Sequence, residues 1–394
     1  MKRYELITPE GTKDLIYEEC LARRAVEGKL RSIFSGLGYS EVITPGIEFF
    51  DVFSRDMRMI PQENLYKLTD VKGRLITMRP DSTIPIARVV ATRLKDESLP
   101  IRLFYIQNIF LNNPLLAGQS DEIYQAGIEL IGSASKRADL EVISTAISVL
   151  SSYGDDFSFE IGDSGFFNEL VAKLGVDELV SEEIRRLIEV KNYPALNDLL
   201  DGIGNNDATK ALKKLPRLFG KDEVFDKALK LFPESTTLGY LKELYTKLCE
   251  LGFEGKITCD LGIVNRNDYY TGIVFRGYIQ GIGEAVLSGG RYDKLIKEFG
   301  RDVPATGFAI NCDAVAKLLR KKELCPALKT ADCIVFGDDG YEIKALKYSN
   351  SVVNDGMVVE TSPFDTLEQT IEYAKSKGIK KVVHITDEVK GYNV

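Results

Sequence analysis

The chain has 394 residues, of which 44% are hydrophobic and 28% charged, and its formal net charge is −8. These values are typical of a water-soluble protein with two or three globular domains. No apolar run approaches the ~20 residues of a membrane-spanning helix, and the N-terminal segment lacks the apolar core of a secretory signal. We therefore expect a cytoplasmic protein with no membrane partner. The acidic balance disfavours a nucleic-acid partner without excluding one, because such binding depends on lysine and arginine.

The chain has few histidines and cysteines with which to build a metal site or a nucleophilic centre. Its one histidine, His384, lies in the predicted strand VVHIT, and none of the six cysteines belongs to a CxxC pair. The absence of a CxxC pair argues against a zinc knuckle, and a single histidine in a predicted strand argues against His-based metal sites, Ser–His–Asp triads and Cys–His dyads. We predict no metal site, no disulfide framework and no cofactor.

The pattern up to the middle of the chain alternates between helical and extended segments. The predicted elements are a helix at 15–35, a strand at 39–45, a hairpin at 64–69 and 75–78, a helix at 84–94, strands at 101–111 and 122–131, a helix at 135–152 and a strand at 157–161. A polar loop joins the two longest strands, which could hold a ligand between them.

The remainder of the chain changes character twice. Residues from about 164 to 248 are almost entirely helical in pattern and predict an all-α insert between sheet strands. Extended segments follow up to a strand at 306–311 and a helix at 314–322. Beyond Cys325, strands at 332–336, 357–361 and 381–385 alternate with helices at 342–355 and 366–377, which predicts a small parallel α/β domain. We therefore expect two domains, 1–324 and 325–394.

Six short motifs occur in the order found in class II aminoacyl-tRNA synthetases, and in the histidyl branch in particular. They are PEGTKD (9–14), YSEVITPGIE (39–48), MRPDSTIPIAR (78–88), QAGIELIG (125–132), DYYTGIVFRG (268–277) and GGRYDKL (289–295). The chain resembles that family over essentially its whole length. The resemblance implies an α+β fold, with an antiparallel sheet core flanked by helices, an all-α insert, and a C-terminal α/β domain that is a truncated anticodon-binding domain.

The positions that bind ATP phosphates in the synthetases depart from the family pattern. Synthetases place arginines there, because a guanidinium fork holds phosphate oxygens and stabilises charge moving onto them. The resemblance places Leu111, Asn265 and Asp313, which is followed by Ala314, at these positions, and the loop NNPLLAGQSDE carries no positive charge. Losing a single preorganised charge stabiliser costs ~10²–10³ in rate. We therefore predict no adenylation and no catalytic residue.

The amino-acid pocket of the family is better kept. By resemblance its candidates are Asp81, Thr83, Gln125, Glu129, Arg266, Tyr269 and Tyr270. Carboxylates of this set would hold an ammonium group, and Glu129 with Tyr270 can bond both nitrogens of an imidazole. Two interpretations fit this pattern. In one, the pocket still binds histidine; in the other, the pocket has collapsed and these residues only contact one another.

A synthetase-like chain without phosphate-binding arginines resembles the ATP phosphoribosyltransferase regulatory subunits. That resemblance implies a short-form catalytic subunit as partner, which makes N1-(5-phosphoribosyl)-ATP in the first step of histidine biosynthesis, and L-histidine as a feedback ligand, with no tRNA. It also implies a homodimer within a hetero-octamer. The dimer interface is predicted at Tyr39, Val42, Thr44, Pro45 and Glu48.

Two alternatives remain open on the sequence. One is an active histidyl-tRNA synthetase in which Arg266 replaces its neighbour Asn265. The other is a stand-alone histidine-binding module with a different partner. Histidine-dependent exchange of pyrophosphate into ATP distinguishes the first alternative, and association with a catalytic subunit distinguishes the second.

Overall fold

The structure is a computed structural model that describes residues 3–54, 60–113, 120–264 and 269–394. The chain divides into two compact units, Met1–Cys325 and Pro326–Val394. In the parts of the chain that the structure describes, no helix is both long enough and apolar enough to cross a membrane.

The first unit is built on a sheet that has nine strands among the described residues. In spatial order they are β1 (Ser40–Glu41), β5 (Ile101–Phe110), β6 (Glu122–Ile131), β12 (Ala305–Asn311), β11 (Leu287–Arg291), β10 (Ile273–Ile279), β7 (Phe157–Asp163), β9 (Ile257–Asp260) and β8 (Phe219–Gly220). Strand β1 is parallel to β5, and β7 is parallel to β9, whereas the other neighbours are antiparallel. The predicted antiparallel sheet core is therefore present.

One face of this sheet is covered by three helices, α1 (Glu18–Gly36), α3 (Lys136–Ser151) and α10 (Cys312–Lys321). Alternate residues of the strands are apolar and point toward these helices, as the period of two requires. The ring of Phe34 on α1 lies 5.8 Å from that of Phe104 on β5. The opposite face carries Glu129 and Gly307 beside a second apolar cluster that includes Leu103, Tyr105 and Ala305.

Helix α1 begins three residues later than its pattern predicts. Tyr17 has a φ of 47°, in the left-handed region. The hydrogen-bonded turns of the right-handed helix therefore cannot extend back through this residue. Ile16 is correspondingly 59% exposed. The apolar residues at the start of the predicted helix therefore belong to the preceding loop.

The insert contains six helices and one short strand within the described residues. The helices are α4 (Ser164–Leu174), α5 (Glu178–Glu189), α6 (Tyr193–Ile203), α7 (Asp207–Lys214), α8 (Glu223–Leu231) and α9 (Thr236–Leu248). Polar side chains cap the first turns of most of them, as Asp177 does for α5 by accepting from the Val180 amide at 2.9 Å. The prediction of a wholly α insert is wrong at β8, because Phe219 pairs with Asp260 at the end of β9.

The strand predicted at 39–45 is reduced to the two residues of β1. Beyond β1, side chains take the place of a neighbouring strand: Arg79 donates to the carbonyls of Thr44 at 2.7 Å and Pro45 at 2.8 Å. The predicted hairpin is present and gains a third strand. Its sheet has the order β2 (Ile47–Phe49), β4 (Leu75–Met78) and β3 (Lys67–Thr69).

The second unit is an α/β layer with strand order β14 (Val359–Thr361), β13 (Cys333–Gly337), β15 (Lys381–Ile385) and β16 (Val389–Asn393). Its helices are α11 (Glu342–Asn354) and α12 (Leu367–Lys377). The parallel pairing of the first three strands agrees with the sequence pattern. The antiparallel strand β16 was not predicted, because all five of its residues are exposed and its sequence shows no alternation.

Candidate functional site

Two glycines leave space over the face of the sheet that α1, α3 and α10 do not cover. The side chains of Glu129 and Tyr270 lie in this space, and we call the cluster around Glu129 the recess. Gly307 on β12 lies opposite Glu129 on β6 and opposite Gly290 on β11. A Cβ atom on Gly307 would lie 1.9 Å from Oε2 of Glu129, and one on Gly290 would lie 2.7 Å from the ring of Tyr270. The side chains of Glu129 and Tyr270 therefore approach each other over bare backbone, which only glycine provides.

Glu129 is buried at the centre of this recess, with 1% of its surface exposed. The hydroxyl of Thr83 donates to its Oε1 at 2.8 Å, and the phenol of Tyr292 donates to its Oε2. Thr83 is the first residue of α2 (Thr83–Thr92). The carboxylate is thus fixed from two sides by side chains that come from widely separated parts of the sequence.

A second carboxylate, Asp81, stands beside the start of α2. Its Oδ1 accepts from the backbone amide of Ile84 at 2.7 Å. Burial raises the pKa of Asp81 to about 6, although hydrogen bonds to the amide groups and to Tyr269 oppose the increase. Burial raises the pKa of Glu129 to about 8, and the negative charge of Asp81 adds to this effect. The recess therefore favours a positively charged ligand.

Aromatic hydroxyl groups complete the site. The rings of Tyr269 and Tyr270 are 4.9 Å apart, and those of Tyr269 and Tyr292 are 5.9 Å apart. Tyr105 on β5 donates to Oε1 of Gln125 at 3.3 Å. The site therefore combines two carboxylates and an amide with phenols, which are suitable partners for an ammonium group and an imidazole.

Six of the seven pocket candidates named from the sequence meet in this cluster: Asp81, Thr83, Gln125, Glu129, Tyr269 and Tyr270. The seventh, Arg266, lies outside the described residues. Sequence reasoning missed Tyr292 and Tyr105. Tyr292 belongs to the GGRYD motif, so its position near the site could have been predicted from the sequence. Its hydrogen bond to Glu129 could be found only from the three-dimensional structure.

The arginines beside the site are engaged by the chain itself. Arg79 is 4% exposed and donates to the carbonyls of residues 44, 45 and 108. Arg291 pairs with Asp139 at 2.8 Å and with Asp293 at 2.9 Å. Both guanidinium groups are therefore used to hold strands and loops together.

The two described positions at which a synthetase would place phosphate-binding arginines serve structural contacts. Asp313 pairs with Arg23 of α1 at 2.7 Å and accepts from the backbone amide of Tyr124 at 2.8 Å. The amide of Leu111 donates to the carbonyl of Asp121 at 2.8 Å. The third position, Asn265, lies outside the described residues. In the described ranges no group of three His, Cys, Asp or Glu side chains is arranged to hold a metal ion.

The stretch predicted as a dimer interface is only partly exposed. Tyr39, Thr44 and Glu48 are buried within the chain, and Glu48 pairs with Arg88 at 2.6 Å. Val42 is half-buried and Pro45 exposed. The side chains that this stretch exposes include Ile43, which is 77% exposed, and Ile47, which is 53% exposed. Exposed side chains of this stretch, Pro45 among them, therefore alternate with buried ones.

Comparison with known proteins gives consistent results. The family described as histidyl-tRNA synthetase matches residues 11–315. The chain is 40% identical to an ATP phosphoribosyltransferase regulatory subunit of Clostridium novyi (strain NT), over 100% of this chain and 96% of that protein. A crystal structure from Bacillus halodurans, described as an ATP phosphoribosyltransferase regulatory subunit/histidyl-tRNA synthetase, is 28% identical with a TM-score of 0.84, covering 97% and 99% of the two chains.

A structure of histidyl-tRNA synthetase from Nostoc sp. PCC 7120 has the same fold. Its TM-score is 0.76 over 98% of this chain and 94% of that one, at 21% identity. The fold predicted from the six motifs, that of a class II synthetase of the histidyl type, is thereby confirmed.

Proposed function

Because the chain belongs to the family of ATP phosphoribosyltransferase regulatory subunits, we propose that it activates a short catalytic subunit and makes that subunit sensitive to histidine. It is a non-catalytic subunit that works in the first step of histidine biosynthesis, in the cytoplasm. The observation that carries this proposal is the contrast within one site. The recess around Glu129 is kept, while positions 111 and 313 hold Leu111 and Asp313, which serve contacts within the chain.

Histidine is the ligand that the recess suits best. Asp81 offers negative charge to its ammonium group, and Glu129, which holds a proton up to a pKa of about 8, can donate to its ring or ionise against positive charge. Tyr270 lies over Gly290, beside the glycine that Glu129 covers. A ligand that brings positive charge would lower the pKa of both carboxyls and stabilise the folded chain. Coupling to the catalytic subunit is reciprocal: if histidine weakens substrate binding there, substrate weakens histidine binding by the same factor.

The first experiment tests the absence of synthetase activity together with the proposed partnership. The purified chain is assayed for histidine-dependent exchange of pyrophosphate into ATP, and is then mixed with a short-form catalytic subunit. We expect no exchange, a stable complex and a higher rate of phosphoribosyl transfer. Exchange above background would establish the synthetase alternative, and failure to associate would support a stand-alone histidine-binding module.

The second experiment locates the histidine sensor. Glu129→Gln removes the ionisable carboxyl at the centre of the recess, and Glu178→Gln, at an exposed position on α5, is the matched control. Inhibition of the complex by histidine should weaken at least about tenfold in the first variant, since one charge-assisted contact is lost. It should be unchanged in the control. Unchanged inhibition in Glu129→Gln would place the sensor elsewhere.

We also propose a homodimer as the core of a hetero-octamer. Ile43, Ile47 and Phe49 have exposed side chains, and the last two belong to β2 of the three-stranded sheet. In that sheet Ile76 on β4 pairs with Phe49 on one side and with Leu68 on the other. Residues opposite each other in a sheet point to the same face, so this face is apolar and partly open to solvent. A second copy of the chain is the occupant proposed here, because the stretch is the one that forms dimers in the resembling fold.

A further inference from the structure

A cavity of about 420 Å³ lies between the insert and the sheet, and none of the residues of the Glu129 recess lines it. The sheet contributes Glu160, Asp260, Arg276 and Tyr278, and the insert contributes a wall that includes Lys191. Its volume is within the range of sites for small organic molecules. We refer to it as the insert cleft.

The floor of the insert cleft is a row of charged residues on adjacent strands. Arg276 on β10 lies directly opposite Glu160 on β7, and the phenol of Tyr278 donates to Oε2 of Glu160 at 3.0 Å. Asp260 ends β9 and accepts from the amide of Gly262 at 2.8 Å. Burial raises the pKa of Glu160 and Asp260, and the positive charges of Arg276 and Lys191 oppose that effect without cancelling it. The floor thus presents two carboxyl groups and a guanidinium group to the same space.

The rim is formed by a residue in a costly backbone conformation. Lys191 follows α5 with a φ of 56°, in the left-handed region where glycine is the usual residue after a helix. Its exposed side chain borders the cleft. The ammonium group of Lys191 therefore stands at the edge of the cleft on a backbone conformation that costs a non-glycine residue free energy.

The remaining walls include the apolar and aromatic side chains of Ile188, Pro216, Phe219 and Tyr193. A third carboxylate, Glu189, also borders the cleft and pairs with Arg185 at 3.3 Å. Carboxylates, cations and apolar walls therefore border one small space. We propose that the insert cleft binds a small zwitterionic ligand of the amino-acid class, with its ammonium group on Glu160 and Asp260 and its carboxylate on Arg276 and Lys191. This site is separate from the Glu129 recess, with which it shares no lining residue.

The test uses the full chain without a partner, so its outcome does not depend on the proposed regulatory role. Each standard free L-amino acid is used in turn as the probe, and binding is measured by thermal shift and calorimetry. We expect at least one amino acid to bind wild type and Glu129→Gln equally, and to bind Glu160→Gln at least about tenfold more weakly. The N-acetyl derivative of that amino acid, which lacks the ammonium group, should not bind.

Lys191→Gly separates loss of binding from loss of folding. Glycine adopts the left-handed conformation without strain, so this variant should melt at a higher temperature than wild type while binding the same amino acid several-fold more weakly. Circular dichroism confirms that each variant is folded. The proposal is overturned if no free amino acid binds, or if the binding that occurs needs Glu129 and is unaffected by Glu160→Gln and Lys191→Gly.

Discussion

At the scale of single residues, the recess depends on Gly307. The carboxylate of Glu129 occupies the space where a side chain at position 307 would lie. The ring of Tyr270 occupies the corresponding space at the neighbouring Gly290. The two glycines face each other across β12 and β11. A site in the middle of a sheet is possible here because two adjacent strands have no side chain at the same level.

Replacing Gly307 by alanine should therefore destabilise the fold. The new methyl group would meet Oε2 of Glu129 at 1.9 Å and the carbonyl of Ile128 at 2.4 Å, and we expect a loss of about 2 kcal/mol or more. Gly28→Ala is the control, since nothing lies within 4 Å of that position on α1, and it should gain about 0.5–1 kcal/mol. Urea unfolding measures both. Equal effects would contradict the steric argument.

The pH dependence of stability should show the raised pKa of Glu129. The folded chain keeps the proton up to a pKa of about 8, compared with an ordinary value of 4.5, so between these values the folded state binds more protons than the unfolded state. The free energy of unfolding should therefore fall as pH rises through this window and level off above it. Asp81 and Asp163, with pKa values of about 6 and about 7, act in the same direction.

Glu129→Gln should reduce that slope, removing a pH-dependent contribution on the order of a few kcal/mol. The measurement is urea unfolding from about pH 5 to about pH 9. Glu178→Gln should leave the slope unchanged, because that side chain is exposed. A slope that is the same in wild type and Glu129→Gln would show that the folded carboxyl is ionised.

At the scale of elements, α10 has a structural contact at the position where the resemblance to synthetases implies a phosphate-binding arginine. Asp313, in its first turn, joins α10 to Arg23 of α1 and to the backbone of β6. Arg23 in turn stacks over the ring of Tyr124, 4.9 Å from its centre. Three elements of the core therefore meet at a position where the resembling synthetases place an arginine.

Asp313→Ala should cost about 1–3 kcal/mol, since it removes a partly buried ion pair and leaves the Tyr124 amide without an acceptor. Arg320→Ala removes another ion pair between α10 and α1, with Glu19, which is more exposed, and should cost about 0.5 kcal/mol or less. Chemical unfolding compares the two. Asp313→Arg should not restore pyrophosphate exchange, and recovery of activity would contradict the structural role given to this residue.

At the scale of the whole molecule, assembly should depend on the exposed face beside β2. Ile43→Asp places a charge at a side chain that is 77% exposed, so the monomer should keep its stability while the proposed homodimer dissociates. Sedimentation velocity measures the change in mass. Leu179→Asp on α5, at a leucine that is 82% exposed, is the control and should remain dimeric. A dimer that persists in Ile43→Asp would place the interface elsewhere.

The sequence by itself indicated most elements, because helices such as α3 have an amphipathic period and clear ends. The class of fold followed from the order of the six motifs and the resemblance that they carry. The sequence also identified six residues of the recess, because their motifs could be matched one by one. The short pairings at β8 and β16 could not be predicted, because they depend on backbone hydrogen bonds and carry no apolar alternation.

Only the tertiary structure decided how these residues work together. Glu129 meets Thr83 and Tyr292 through contacts between distant segments, and its pKa follows from burial that no linear pattern reports. The insert cleft likewise arises where the helical segment covers β7, β9 and β10. Motifs specify which side chains are present, whereas strand register and packing decide which of them share a space, a charge or a surface.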